Sequence, residues 1–112
     1  MKKNNIKMVV CDIDDTLVHK EVHLSQDIIN TIQKLKEKGI YFTFATGRMP
    51  YRVEVFEKEA DLQIPYVANN GSILYSNGKI IYSKMLKASL LRDSLRKFMQ
   101  EDPEFTVIFS YE

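Results

Sequence analysis

Apolar positions along this chain change their period from segment to segment, and each change marks an element. Ile6 to Cys11 is a short apolar run rich in Val and Ile, which reads as a buried strand over 6–12. Residues 17–24 keep no clean period and read as a loop or small hairpin. Ile28, Ile29, Ile32 and Leu35 then recur at helical spacing. Ser25 can cap that helix, Asp27 lies in its first turn, Lys36 and Lys38 in its last, and Gly39 ends it. Residues 40–46 form a second strand. Pro50 can open a second helix with Val53, Phe56 and Ala60 as its buried stripe. Pro65 precedes a third strand, Tyr66 to Asn69.

This order is β-α-β-α-β, the pattern of a parallel, doubly wound α/β sheet. The period then shortens. Residues 72–76 and 79–83 flank Asn77-Gly78, a strong hairpin signal. Leu90, Leu91, Leu95, Phe98 and Met99 mark another amphipathic helix ending near Asp102-Pro103, and alternation over 105–111 predicts a further half-buried strand. There is no internal repeat and no low-complexity linker.

Composition narrows the class without naming a function. The 112 residues suit one domain, and 45% hydrophobic with 28% charged is ordinary for a soluble globular protein. Sixteen basic against fifteen acidic residues give a net charge of +1, with no footprint for nucleic acid. No apolar run reaches membrane-spanning length, and the run before Asp12 is too short for a signal peptide. The single cysteine, Cys11, rules out an internal disulfide framework and reads as a buried, inert thiol. A reducing cytoplasm is the default compartment.

The chemistry is concentrated where the first strand stops. Asp12 and Asp14 are two apart, so an extended chain presents both on one face at the edge of the sheet, where α/β proteins bind ligands. Two carboxylates this close repel unless a cation lies between them or one holds a proton. Capping of a turn after the strand is the plainer alternative. Thr46-Gly47 ends the second strand and Asn69-Asn70-Gly71 the third; each is also an ordinary turn sequence. Arg48 is open between a substrate contact and a surface ion pair. Asp15 is expected to be solvated. His19 and His23 have zinc-like spacing only if helical and lack a third ligand nearby, so they are read as structural.

Asp12-Ile13-Asp14-Asp15-Thr16-Leu17 resembles the first motif, Asp-x-Asp-x-(Thr or Val)-Leu, of the haloacid dehalogenase-like (HAD) phosphohydrolases, and Phe44-Ala45-Thr46-Gly47-Arg48 resembles the second. With Ala68-Asn69-Asn70-Gly71-Ser72 and the hairpin, the chain is similar to the Cof-like branch, whose members are sugar- and cofactor-phosphate phosphatases with a large α/β cap. The resemblance implies a three-layer Rossmann-like parallel sheet, here a partial core over 1–83, followed by the start of a cap over 84–112. It implies that Asp12 is the nucleophile, forming an aspartyl-phosphate, and that Asp14 is the acid/base. Both would serve a Mg2+ ion, Asp14 through its backbone carbonyl as well. Thr46, Gly47, Arg48 and Asn70 would hold the phosphate of a small phosphorylated metabolite.

Family members also supply a lysine and an acidic Gly-Asp-x-x-Asn-Asp-like fourth motif, neither of which can be assigned here. The resemblance therefore implies an N-terminal part of a longer phosphatase, with weak Mg2+ binding and little turnover alone, or self-association through open sheet edges. A non-catalytic remnant or partner-binding module that kept the fold is the alternative. A receiver-like phosphoacceptor domain would place its acid after the third strand, where this chain has Ala68-Asn69-Asn70.

Overall fold

The computed structural model describes residues 5–104 and 106–107. The apolar run becomes β1 (Met8–Cys11), paired in parallel with β2 (Tyr41–Phe44) in the register Met8 to Tyr41 through Cys11 to Phe44. Between them lies α1 (Gln26–Glu37). Ser25 caps it by accepting the Ile28 N–H at 3.3 Å, and Gly39 leaves it at φ +70°. After β2, Pro50 opens a single 3-10 turn (Pro50–Arg52) that leads into the short α2 (Glu54–Glu59). β3 (Tyr66–Ala68) continues the sheet beside β2 through a parallel bridge between Ala45 and Val67 and the bond from Thr46 N–H to the Val67 carbonyl, 3.0 Å. The expected parallel α/β sheet is therefore present.

β4 (Ile73–Ser76) and β5 (Lys79–Ser83) extend it antiparallel from β3. Asn77 at φ +49° and Gly78 at φ +77° make the tight turn between them, as the Asn-Gly pair predicts. Glu57 of α2 holds that turn by accepting the Asn77 N–H at 2.9 Å. The last described element is α3 (Ala88–Glu101), none of whose residues is buried. The strand expected over 105–111 falls almost wholly outside the described residues.

Strand alternation divides the sheet into two unlike faces. Val9 and Cys11 join Phe42, Phe44, Tyr66, Ala68 and Ile73 in one core with Ile32 of α1, Phe56 of α2 and Val53 and Ala60, which flank α2 as its caps. That core contains the helical stripe read from the sequence. Ile6, Met8, Val10 and Tyr41 lie on the other phase of the alternation and are 49–56% exposed. β1 has one hydrogen-bonded neighbour among the described residues, so its outer edge and this face are both open.

Phe44 is fully buried while Tyr41, three residues earlier on the same strand, is 54% exposed. Phe44→Ala is expected to lower unfolding free energy by about 3–5 kcal/mol. Tyr41→Ala should cost about 0.5 kcal/mol or less. Urea unfolding followed by circular dichroism measures both, and equal costs would contradict this division of faces.

Candidate active site

The rim begins with Ile13. Its side chain is completely buried, while Asp12 and Asp14 on either side of it are exposed. The chain then closes on itself. The Ile13 carbonyl accepts the N–H groups of Leu17 at 2.9 Å and Val18 at 3.0 Å, and Asp15 N–H donates to the Val18 carbonyl at 2.7 Å. Asp15 takes the left-handed conformation at φ +58°, and its side chain is 88% exposed, solvated as expected. Asp12 Oδ1 accepts the Ile13 N–H at 2.8 Å.

β2 and β3 bring their ends to the same edge. Thr46 is 4% exposed, and its hydroxyl oxygen accepts the Arg48 N–H at 3.1 Å, so its own proton is left to donate. The Asn69 N–H donates to the Arg48 carbonyl at 2.8 Å and the Asn70 N–H to the Thr46 carbonyl at 3.2 Å. Asn69, Asn70 and Gly71 all have positive φ (+49°, +54° and +94°), which folds the loop back against β2. Gly47 is needed for this approach, because a Cβ there would lie 2.7 Å from Asn70 Oδ1. Asn69 is a turn residue, its amide donating to Ser72 Oγ at 2.8 Å, while Asn70 lies against the Thr46-Gly47 loop.

Arg48 joins the two halves. Its Nε donates to Asp14 Oδ2 at 2.9 Å and its Nη2 to Asp14 Oδ1 at 2.6 Å, a bidentate pair. Nη1 donates to the Arg52 carbonyl at 3.4 Å, and the guanidinium carbon lies 5.2 Å from the centroid of the Phe56 ring. Hydrogen bonding from Arg48 holds the Asp14 carboxyl below the usual carboxylate range, and the same bond raises the Arg48 pKa. Arg48 thus makes an ion pair with Asp14. Phe56 and the Arg52 carbonyl belong to the site and were not legible beforehand, since nothing local in the sequence connects them to Asp14.

The remaining candidates go elsewhere. His23 pairs with Glu59 at 2.5 Å, and the Leu24 N–H donates to the same carboxylate at 2.8 Å, so His23 braces the loop against α2. Cys11 is half-buried rather than buried, and that partial burial raises its thiol pKa. Among the described residues no three His, Cys, Asp or Glu side chains are grouped to hold a metal ion. No helix among them is long and apolar enough to cross a membrane.

Comparison with known proteins places this geometry in a family. The sequence profile of the haloacid dehalogenase-like hydrolases matches residues 9–112. A Buchnera aphidicola protein is 28% identical over 105 residues, which cover 93% of this chain and 39% of that protein. The 5-amino-6-(5-phospho-D-ribitylamino)uracil phosphatase YwtE of Bacillus subtilis is 32% identical over 81 residues, 72% of this chain and 28% of that one. In three dimensions the HAD superfamily phosphatase BT1666 of Bacteroides thetaiotaomicron superposes with a TM-score of 0.73 at 26% identity, over 86% of this chain and 35% of that one. The chain thus spans between 25% and 39% of the length of the first curated relatives it matches. With acids after the first strand, Thr46-Gly47 after the second and a profile match over nearly its whole length, the chain belongs to the haloacid dehalogenase-like hydrolases.

Proposed function

We propose that these residues carry the phosphoryl-transfer half of a Mg2+-dependent phosphohydrolase acting on small phosphate monoesters. The observation that supports this most directly is the pair of exposed carboxylates flanking buried Ile13, on the edge where Thr46 and Gly47 also end their strand. The B. subtilis relative is named for a small phosphorylated ribityl compound, which fits a metabolite-sized substrate. The beginning of a cap over residues 84–112 belongs to the same reading.

Asp12 is the nucleophile. A carboxylate oxygen attacks phosphorus, the new bond to Asp12 forms and the bond to the alcohol oxygen breaks. Asp14 gives its proton to the departing alkoxide, releasing the alcohol. Water then attacks the aspartyl-phosphate; its oxygen bonds to phosphorus, the bond to Asp12 breaks, and the water proton goes to Asp14. The Thr46 hydroxyl, the Gly47 backbone and the Asn70 amide stand on the phosphate side, where fixed donors favour the charge of the transition state. Asp14 as found is suited to the second step. Arg48 favours its ionised form, which accepts a proton from water, and the acid role requires protonation against that pair.

The donor set suits a hard, oxygen-seeking cation. Asp12 is exposed, and the Asp14 backbone carbonyl is the second oxygen this chain can offer; water and substrate oxygens complete such shells for Mg2+. Bound there, Mg2+ would neutralise carboxylate and phosphate charge. The Asp14 carboxylate is committed to Arg48, so it is the weaker candidate for direct ligation.

Incubation with p-nitrophenyl phosphate and Mg2+ is expected to release nitrophenol slowly, in line with the little turnover expected of this part alone, and to leave phosphate on Asp12, trapped by acid quench and located by mass spectrometry. Asp12→Asn should reduce both to the level of buffer alone. If wild type and Asp12→Asn are indistinguishable in both measurements, the non-catalytic module is the correct reading. Separately, Gly47→Ala should displace the Asn70 side chain at a stability cost of about 1 kcal/mol, because the clash falls on a movable amide. The Asn70 side-chain NH2 resonance is expected to shift, and an unchanged resonance would refute the close approach.

A further inference from the structure

We propose that Arg48 is a positioning residue for Asp14 and not a ligand of the substrate phosphate; this rests on the phosphohydrolase reading of the site. The guanidinium is held from several directions. Two of its nitrogens donate to the two Asp14 oxygens at 2.9 and 2.6 Å, the third donates to the Arg52 carbonyl at 3.4 Å, and Phe56 lies against its plane. Its backbone is fixed as well, through Thr46 Oγ1 at 3.1 Å and the Asn69 N–H at 2.8 Å. The Arg48 side chain is only 18% exposed, whereas that of Asp14 is 49% exposed. The buried partner is therefore the arginine, and the accessible one is the acid.

That asymmetry is the opposite of what a phosphate ligand needs. To reach an incoming dianion, Arg48 would have to give up a bidentate, partly desolvated pair and its place on Phe56. To orient Asp14 it needs no movement at all. A carboxylate has about four lone-pair sites, and a bidentate arginine occupies one on each oxygen. The others remain on the exposed side of Asp14, available to water or a leaving-group oxygen. Arg48 fixes the carboxylate plane from behind and leaves its front open, which is how a positioned acid/base is held. A point-charge lysine cannot copy the fork.

The test uses the full chain labelled with 15N-arginine. Arg48→Lys assigns the Arg48 Nε–H resonance by its disappearance. Asp14→Asn, which leaves Arg48 in place, is expected to move that resonance, and inorganic phosphate with Mg2+ is expected to leave it where it is. A resonance that ignores Asp14→Asn, or that phosphate moves as far as Asp14→Asn does, overturns the proposal. With p-nitrophenyl phosphate, Arg48→Met should lower kcat about 100-fold while KM stays within about twofold, because misplacement of a reacting group costs roughly that much. Arg48→Lys should not restore it. A tenfold rise in KM with kcat preserved, rescued by lysine, would make Arg48 a phosphate ligand instead. If wild type and Asp12→Asn turn over equally, the phosphohydrolase reading fails, yet the resonance still reports whether Arg48 holds Asp14.

Discussion

Alternation along an extended chain allows one side chain in two to enter the core, and at the end of β1 that place is taken by Ile13. With its side chain wholly buried, Asp12 and Asp14 have no inward option, and both are exposed at the sheet edge. The Ile13 carbonyl then collects N–H groups from Leu17 and Val18, so the chain turns immediately and the acids stay at the strand end. A one-residue slip of β1 against β2 would bury a carboxylate without a partner, which costs several kcal/mol. The hydrophobic pattern and the placement of the acids are thus one constraint.

Part of the electrostatics at this edge is met by a cation the protein carries itself. Two neighbouring carboxylates call for compensation, and sequence alone left a metal or a proton as the source. Arg48 supplies the compensation for Asp14, from the loop after β2. Among the described residues no side-chain cation pairs with Asp12, whose Oδ1 accepts the Ile13 N–H. The two acids consequently differ in kind: one held in a bidentate pair by a fixed guanidinium, the other exposed at the strand end. Environments that separate two like groups are a recurrent way of assigning them different roles.

The strands, the helices and the hairpin were readable because periodicity and turn chemistry are local. Ser25, Gly39, Pro50 and Asn77-Gly78 each act within a few residues of where they stand, and each marks the boundary it suggests. The acids and Thr46-Gly47 were readable because they sit at strand ends. The Arg48–Asp14 pair was not, since it spans 34 residues and joins two strand-end loops that only the folded sheet brings together. The same holds for Glu57 on the Asn77 turn and Glu59 on His23, separated by 20 and 36 residues. Long-range polar contacts leave no period in a sequence, so nothing local marked the residues that brace these loops.

β1 carries the acids and is also the least secured strand of the parallel set. It has four paired residues, one hydrogen-bonded neighbour among the described residues, and an outer phase of half-exposed Ile6, Met8 and Val10. Local opening begins where buried contacts are few, and on this strand that would move the two acids first. A clamp from β2 opposes it. Arg48 is anchored on α2 through Phe56 and on the β3 loop through Asn69, and it grips β1 beyond its last ladder pair. In a fully solvated pair such a link would contribute little. Here the arginine is four-fifths covered and its fork is preset, so less side-chain entropy is lost in holding it. The pair therefore does for position what the edge of the sheet does not: it ties the placement of Asp14 to the core that both helices build.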